Sequence, residues 1–138
     1  MNTALVAAGL CCVWIGAVGA VSFLETPLKF RAPGVTLPLG LSVGRLVFRA
    51  LTRLEAVLLV CATAAAAAHG AAVLVLLPAA VVLAAQMLVL RPWLDVRALQ
   101  IIAGRTPPPS RLHVLYVVGE VLKLAALTGA AIVFGGRS

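Results

Sequence analysis

The stretch EAVLLVCATAAAAAHGAAVLVLLPAAVVLAAQMLVLR, from Glu55 to Arg91, carries no charged residue between its two ends. As a single helix it would run roughly 50 Å, well beyond the roughly 30 Å hydrocarbon core of a bilayer. The stretch is therefore read as a hairpin of two spans. His69-Gly70 is its polar, turn-compatible break, which leaves Ala71 to Leu90 as a full third span carrying Pro78. Ala56 to Ala68 is too short to span alone. The second span must then begin near Ser42 or Val43 and take Arg45, Arg49, Arg53 and Glu55 into the helix.

Working outward, the first span runs from about Ala4 to Leu24. It is followed by Glu25-Thr-Pro27 and a connection containing Pro and Gly through Gly40. Met1 to Leu24 is uncharged, with no basic residue ahead of the apolar run, so it is expected to stay as a helix rather than act as a cleaved leader. Beyond Leu90, Arg91 to Ile102 reads as an interfacial helix and Gly104 to Ser110, with three consecutive prolines, as a linker. Ser110 is a suitable N-cap for a fourth span ending near Phe134. The expected fold class is all-α: a polytopic membrane protein, a four-transmembrane-helix bundle with a short interfacial helix between helices 3 and 4, forming one domain over residues 1–138. Composition agrees, at 63% hydrophobic and 11% charged over 138 residues. Cys11, Cys12 and Cys61 lie inside apolar segments without metal-ligand spacing and read as packing residues.

The formal net charge is +7. Nine of the eleven Lys and Arg residues lie in two places, from Lys29 to Arg53 and from Arg91 to Arg111. The positive-inside rule turns this bias into an orientation in the cell (inner or plasma) membrane. Loops 25–42 and 91–111 are expected in the cytoplasm and both termini outside. The cations border apolar spans, so the lipid bilayer, not nucleic acid, is the expected partner.

Polar residues inside the spans point to a site, because an ionisable group costs roughly 2.5 to 3.5 kcal/mol in a membrane helix and seldom faces lipid. In the fourth span His113, Tyr116, Glu120 and Lys123 recur at i, i+3, i+7 and i+10, on one stripe. Arg45, Arg49 and Arg53 form a second stripe on the second span. Counted inward at about 1.5 Å per residue, Glu55 and Lys123 both lie roughly 18 Å deep, which makes them an expected ion pair. By the same count Glu120 falls near Arg53, while His113 and Tyr116 lie beside Arg45 and Arg49. Gln86 and Arg91 enter from the third span, and Glu25 and Lys29 from the end of the first. The candidate binding or ion-path residues are Glu25, Arg49, Arg53, Glu55, Gln86, Arg91, His113, Tyr116, Glu120 and Lys123. The plainer reading is that these charges only fix helix register, although buried ion pairs add little net stability over apolar packing.

No hydrolase triad, phosphate loop or paired histidine at i, i+4 occurs. No catalytic residue, no metal site and no cofactor is therefore expected. A haem-binding membrane subunit is conceivable through His113, although His69 lies at the opposite face, so one chain does not offer two axial histidines at one depth. A quinone headgroup near His113, Tyr116 and Glu120 is a better-motivated alternative. Two functions fit the pattern. In a transport-type bundle, oligomeric in form, Glu55, Glu120 and Lys123 form an ion path; Glu120→Gln or Lys123→Met then abolishes flux with folding intact. In an accessory or assembly subunit of a larger membrane complex of respiratory type, the same charges pair with a partner's helices.

Several marks together resemble a known family. They are Trp14-Ile-Gly16, Phe23, Pro27 and Phe30, then Gly44-Arg45 and Phe48, then Arg91-Pro92 and His113-x-x-Tyr116. This pattern is similar to a bacterial four-helix membrane family of unknown function that includes the eukaryotic transmembrane protein 205. Glu120 stands where that family leads one to expect an amide. The resemblance implies four helices and a link to the handling of small molecules or metals.

Overall fold

A computed structural model gives the fold of residues 2–70 and 73–136. Four helical rods carry it: α1 Thr3–Lys29, α2 Leu37–Ala68, α3 Val73–Ile102 and α4 Leu112–Gly136. No strand occurs among the described residues. All four rods are long and apolar enough to cross a membrane, so the fold is the expected all-α, four-helix membrane bundle, with lipid contact implied for its outer faces. Ala71 and Ala72, expected to open the third span, lie outside the described residues.

The ends follow from capping chemistry. Asn2 Oδ1 accepts the backbone N–H of Ala4 at 3.0 Å and of Leu5 at 3.4 Å, and Ser110 Oγ accepts that of Leu112 at 3.1 Å. All three hydrogen bonds satisfy donors that a helix start leaves free. The hairpin turns at His69-Gly70, where Gly70 has φ +69°, a left-handed conformation that glycine adopts without Cβ strain.

Three expected boundaries shift. The first span does not stop before Glu25-Thr-Pro27, nor the third at Leu90, because α1 and α3 pass through their prolines. In each case a π-helical turn lies directly ahead of the proline: Gly19–Glu25 before Pro27, and Gln86–Leu90 before Pro92. Proline removes an i→i−4 hydrogen bond and crowds the preceding turn. The wider π-turn takes up that mismatch without ending the rod. The second span starts at Leu37 rather than near Ser42, because Thr36 caps it, accepting the Leu39 N–H at 3.3 Å, and Pro38 suits the first turn. The connection expected over 25–42 thus shrinks to the residues between Lys29 and Leu37, and much of the 91–111 segment is helix.

α1 packs against α2 and α4, α3 against α4, and the Arg91–Ile102 extension of α3 against α2. At the end of the bundle holding the α2–α3 turn, the interior is apolar and rich in small residues. Ala7 and Cys11 of α1, Ala62 and Ala66 of α2, Ala79 of α3 and Ala130 of α4 are buried there around Trp14, Leu127 and Phe134. The large aliphatics point the other way, with Val60, Leu74, Leu88 and Ile132 each about 70% exposed or more. Small residues inside and large ones outside suit a bundle in lipid, where close backbone approach holds helices together. Only Cys11 packs in the core; Cys12 and Cys61 face outward.

Candidate functional site

One helical turn from the apolar core, the interior changes character. Leu58 gives way to Glu55 on α2, Leu83 to Gln86 on α3 and Leu127 to Lys123 on α4. The Lys123 ammonium lies at the centre, 2.5 Å from Glu55 Oε1, 2.6 Å from Glu120 Oε1 and 2.8 Å from Gln86 Oε1. These three acceptors match its three N–H donors. The Gln86 amide donates to Glu120 Oε1 at 2.9 Å and to the Tyr116 carbonyl at 3.2 Å. From α1, Trp14 Nε1 donates to Glu55 Oε1 at 2.8 Å, and Ser22 Oγ to Glu120 Oε2 at 2.5 Å. Glu55, Gln86, Glu120 and Lys123 are all within 2% of complete burial. Every helix contributes to this hub.

The local sequence explains the aim. Glu120 and Lys123 are three apart on one face of α4. Gly119 leaves room for the amide, since a Cβ there would come within 2.9 Å of Gln86 Nε2. Ser22 and Gln86 both fall in the π-turns, which reset the faces their helices present. Electrostatically the hub is incomplete. With both carboxylates ionised, a single ammonium would leave a formal charge of −1 in a low-dielectric interior. Glu55 Oε2 is buried without a hydrogen-bond partner.

Above the hub, where α1 ends and α2 and α4 begin, a cavity of about 160 Å³ lies among Lys29, Arg45, Phe48, Arg91, His113 and Tyr116. A neighbouring cavity of about 340 Å³ shares Phe48, His113 and Tyr116 and reaches Ser22 and Glu120, so the pocket region leads down to the hub. Phe48 and Tyr116 meet edge to face at 5.8 Å. The Arg91 guanidinium lies over both rings, at 4.7 and 5.7 Å from their centres, a cation–π arrangement. Lys29 faces Glu25 at 3.5 Å, and Arg45 faces Asp95 at 3.5 Å.

The expected site residues thus divide three ways. Glu55, Gln86, Glu120 and Lys123 meet in the hub. Arg91, His113 and Tyr116 line the pocket, with Glu25 at its edge beside Lys29. Arg49 and Arg53 join neither, being exposed on the outer face of α2, and Arg53 does not meet Glu120. Arg53 stands two positions from Glu55, about 200° around the helix, and successive residues of the i, i+4, i+8 stripe drift by about 40°. Only Arg45 faces a neighbouring helix.

Trp14, Ser22 and Asp95 were not among the expected site residues. Trp14 had a signal, because a tryptophan among alanines in a span needs an acceptor for its N–H. Ser22 had a weaker one, as a hydroxyl in an otherwise apolar turn. Among the described residues no group of three or more His, Cys, Asp or Glu side chains is placed to hold a metal ion. His69 caps the α2 end far from His113. Compared with known proteins, the chain matches no family model, no curated protein and no solved structure.

Proposed function

We propose that this chain is a small transport-type membrane protein in which the hub is a proton-binding station, loaded from the basic end of the bundle. The observation that carries the reading is that two fully buried carboxylates share one lysine and leave a carboxylate oxygen unpartnered. One further positive charge would neutralise the group. A proton suits a single open oxygen, whereas hard metal cations gather six or more oxygen ligands. Ser22 and Glu120, which reach the pocket side, form the entry; Lys123 connects them to Glu55. Lys123 is held by three acceptors, so it is not a free nucleophile, and the proposed role is not enzymatic. The cation distribution supports an orientation in the cell membrane with the pocket facing the cytoplasm and both termini outside. Membership of the transmembrane protein 205-type family is part of the proposal, supported by the convergence of Phe30, Gly44, Arg45, Phe48, Arg91, His113 and Tyr116 on one cavity.

The test is proton flux into liposomes holding a pH-sensitive dye, with the wild-type chain beside Glu120→Gln and Glu55→Gln. Flux above protein-free liposomes that both substitutions remove supports the reading. Flux equal to empty liposomes, or unaffected by either change, ends it. The packed apolar half favours a second reading, a non-transporting accessory subunit, because among the described residues the buried polar and charged side chains, Glu55, Gln86, Glu120 and Lys123, all belong to the hub. That reading expects co-purification with one larger complex from mild detergent, and a clean monomer counts against it.

A further inference from the structure

The pocket above the hub holds a second site that the proton reading does not use. Lys29, Arg45 and Arg91 bring three basic side chains to one cavity, with His113 at its wall. Their internal partners are few and loose. The Lys29–Glu25 and Arg45–Asp95 contacts are both 3.5 Å, well outside the roughly 2.7 to 2.9 Å of a charge-assisted hydrogen bond. Arg45 Nε is buried with no hydrogen-bond partner. Arg91 rests on the faces of Phe48 and Tyr116. Among the described residues its guanidinium faces no carboxylate within ion-pair distance and makes no hydrogen bond. The two rings place the guanidinium without taking up its N–H donors.

The backbone makes room for this arrangement. A Cβ on Gly44 would come within 3.0 Å of Lys29 Nζ, so the bare glycine lets the ammonium lie against α2. The Lys29 side chain is only 9% exposed, an expensive place for a cation whose partners are Glu25 at 3.5 Å and the Phe30 ring, 5.3 Å from its centre. Water at about 30 Å³ per molecule makes a cavity of about 160 Å³ the size of a small oxyanion with a few attached atoms.

We propose that this pocket binds a phosphate-type anion, with its oxygens received by the Arg91 guanidinium, the Lys29 ammonium and Arg45 Nε. A planar guanidinium braced on aromatic rings suits bidentate contact with two phosphate oxygens, and the ammonium adds a point charge. The phosphate can come from a soluble ion or from an anionic phospholipid headgroup. The site uses no hub side chain, so it stands or falls separately from the proton station.

The test uses the full chain in two arms. In lipid-free detergent, inorganic phosphate is titrated calorimetrically. In nanodiscs of phosphatidylcholine with a minor share of phosphatidylglycerol, native mass spectrometry reads the lipid that the released protein retains. The expected result is one anion per chain in at least one arm. Arg91→Gln and Lys29→Gln should each weaken it at least about tenfold, with Arg53→Gln, on the outer face, binding as wild type. Binding in the first arm assigns the soluble ion; binding confined to the second assigns the headgroup. Absence of binding in both arms overturns the proposal, as does an equal loss in Arg53→Gln, which would mean diffuse attraction to a basic surface. Melting curves accompany each variant, and Lys29→Gln alone carries the comparison if Arg91→Gln does not fold.

Discussion

Leu83 and Gln86 lie three residues apart on α3, and the interior on either side of them is held together in different ways. On the Leu83 side, Ala62, Ala66, Ala79 and Ala130 let four helices approach closely around Trp14, Leu127 and Phe134. On the Gln86 side, two carboxylates, an amide and an ammonium close a network across the same four helices. In lipid the first kind of interior gains no water-exclusion energy and relies on packing. The second relies on directional bonds whose alternative is an unpaired charge in a low-dielectric medium. The difference teaches that the apolar half seals the bundle while the polar half specifies which helix faces which, since alanine tolerates sliding and a three-acceptor lysine does not.

Lys123→Met should test that contrast most severely. It leaves Glu55 and Glu120 facing each other without their shared cation, and removing one partner of a buried pair costs about 3–5 kcal/mol. Thermal unfolding in detergent should show a large loss, so this substitution perturbs folding and is unsuited to the flux role anticipated for it. Phe134→Ala, in the sealed half, should cost about 2 kcal/mol, the cavity contribution alone, because lipid solvates the unpacked ring as well as the core does. A loss as large as that of Lys123→Met would break the contrast. Trp14→Phe removes one donor to a charged acceptor and should cost about 1.5–3 kcal/mol. A Trp93→Phe background leaves Trp14 as the sole indole, so a changed emission in Glu55→Gln would report the hub directly. Arg49→Gln and Arg53→Gln should fall within about 0.5 kcal/mol of wild type, as outward residues do.

The degree to which this was legible in the sequence varies with the range of the interaction. The hairpin at His69-Gly70 and the Glu55–Lys123 pair follow from counting residues at a fixed rise, because depth in a membrane is one-dimensional. Arg49 and Arg53 fall outside the site because depth says nothing of azimuth; the helical period, not depth, sets their angle from Glu55. The ends of α1 and α3 were illegible for another reason. The expected ends fall ahead of Glu25-Thr-Pro27 and of Arg91-Pro92, and a π-turn that absorbs a proline has no residue signature of its own. Trp14 and Glu55 are 41 positions apart, and only assembly of the bundle shows which acceptor the indole meets.

The π-turns Gly19–Glu25 and Gln86–Leu90 also bear on which changes of chain length these rods tolerate. A π-turn lodges about one residue more than the α-helix requires. Deleting one residue there restores α-geometry and keeps both flanking stretches in phase, at the loss of the aim of Ser22 or Gln86. The same deletion after Trp14 but outside the π-turn rotates everything beyond it by about 100°, carrying Lys29 away from the pocket while Trp14 stays on Glu55. The two rods thus have designated seams for insertion and deletion, and both seams lie beside the hub.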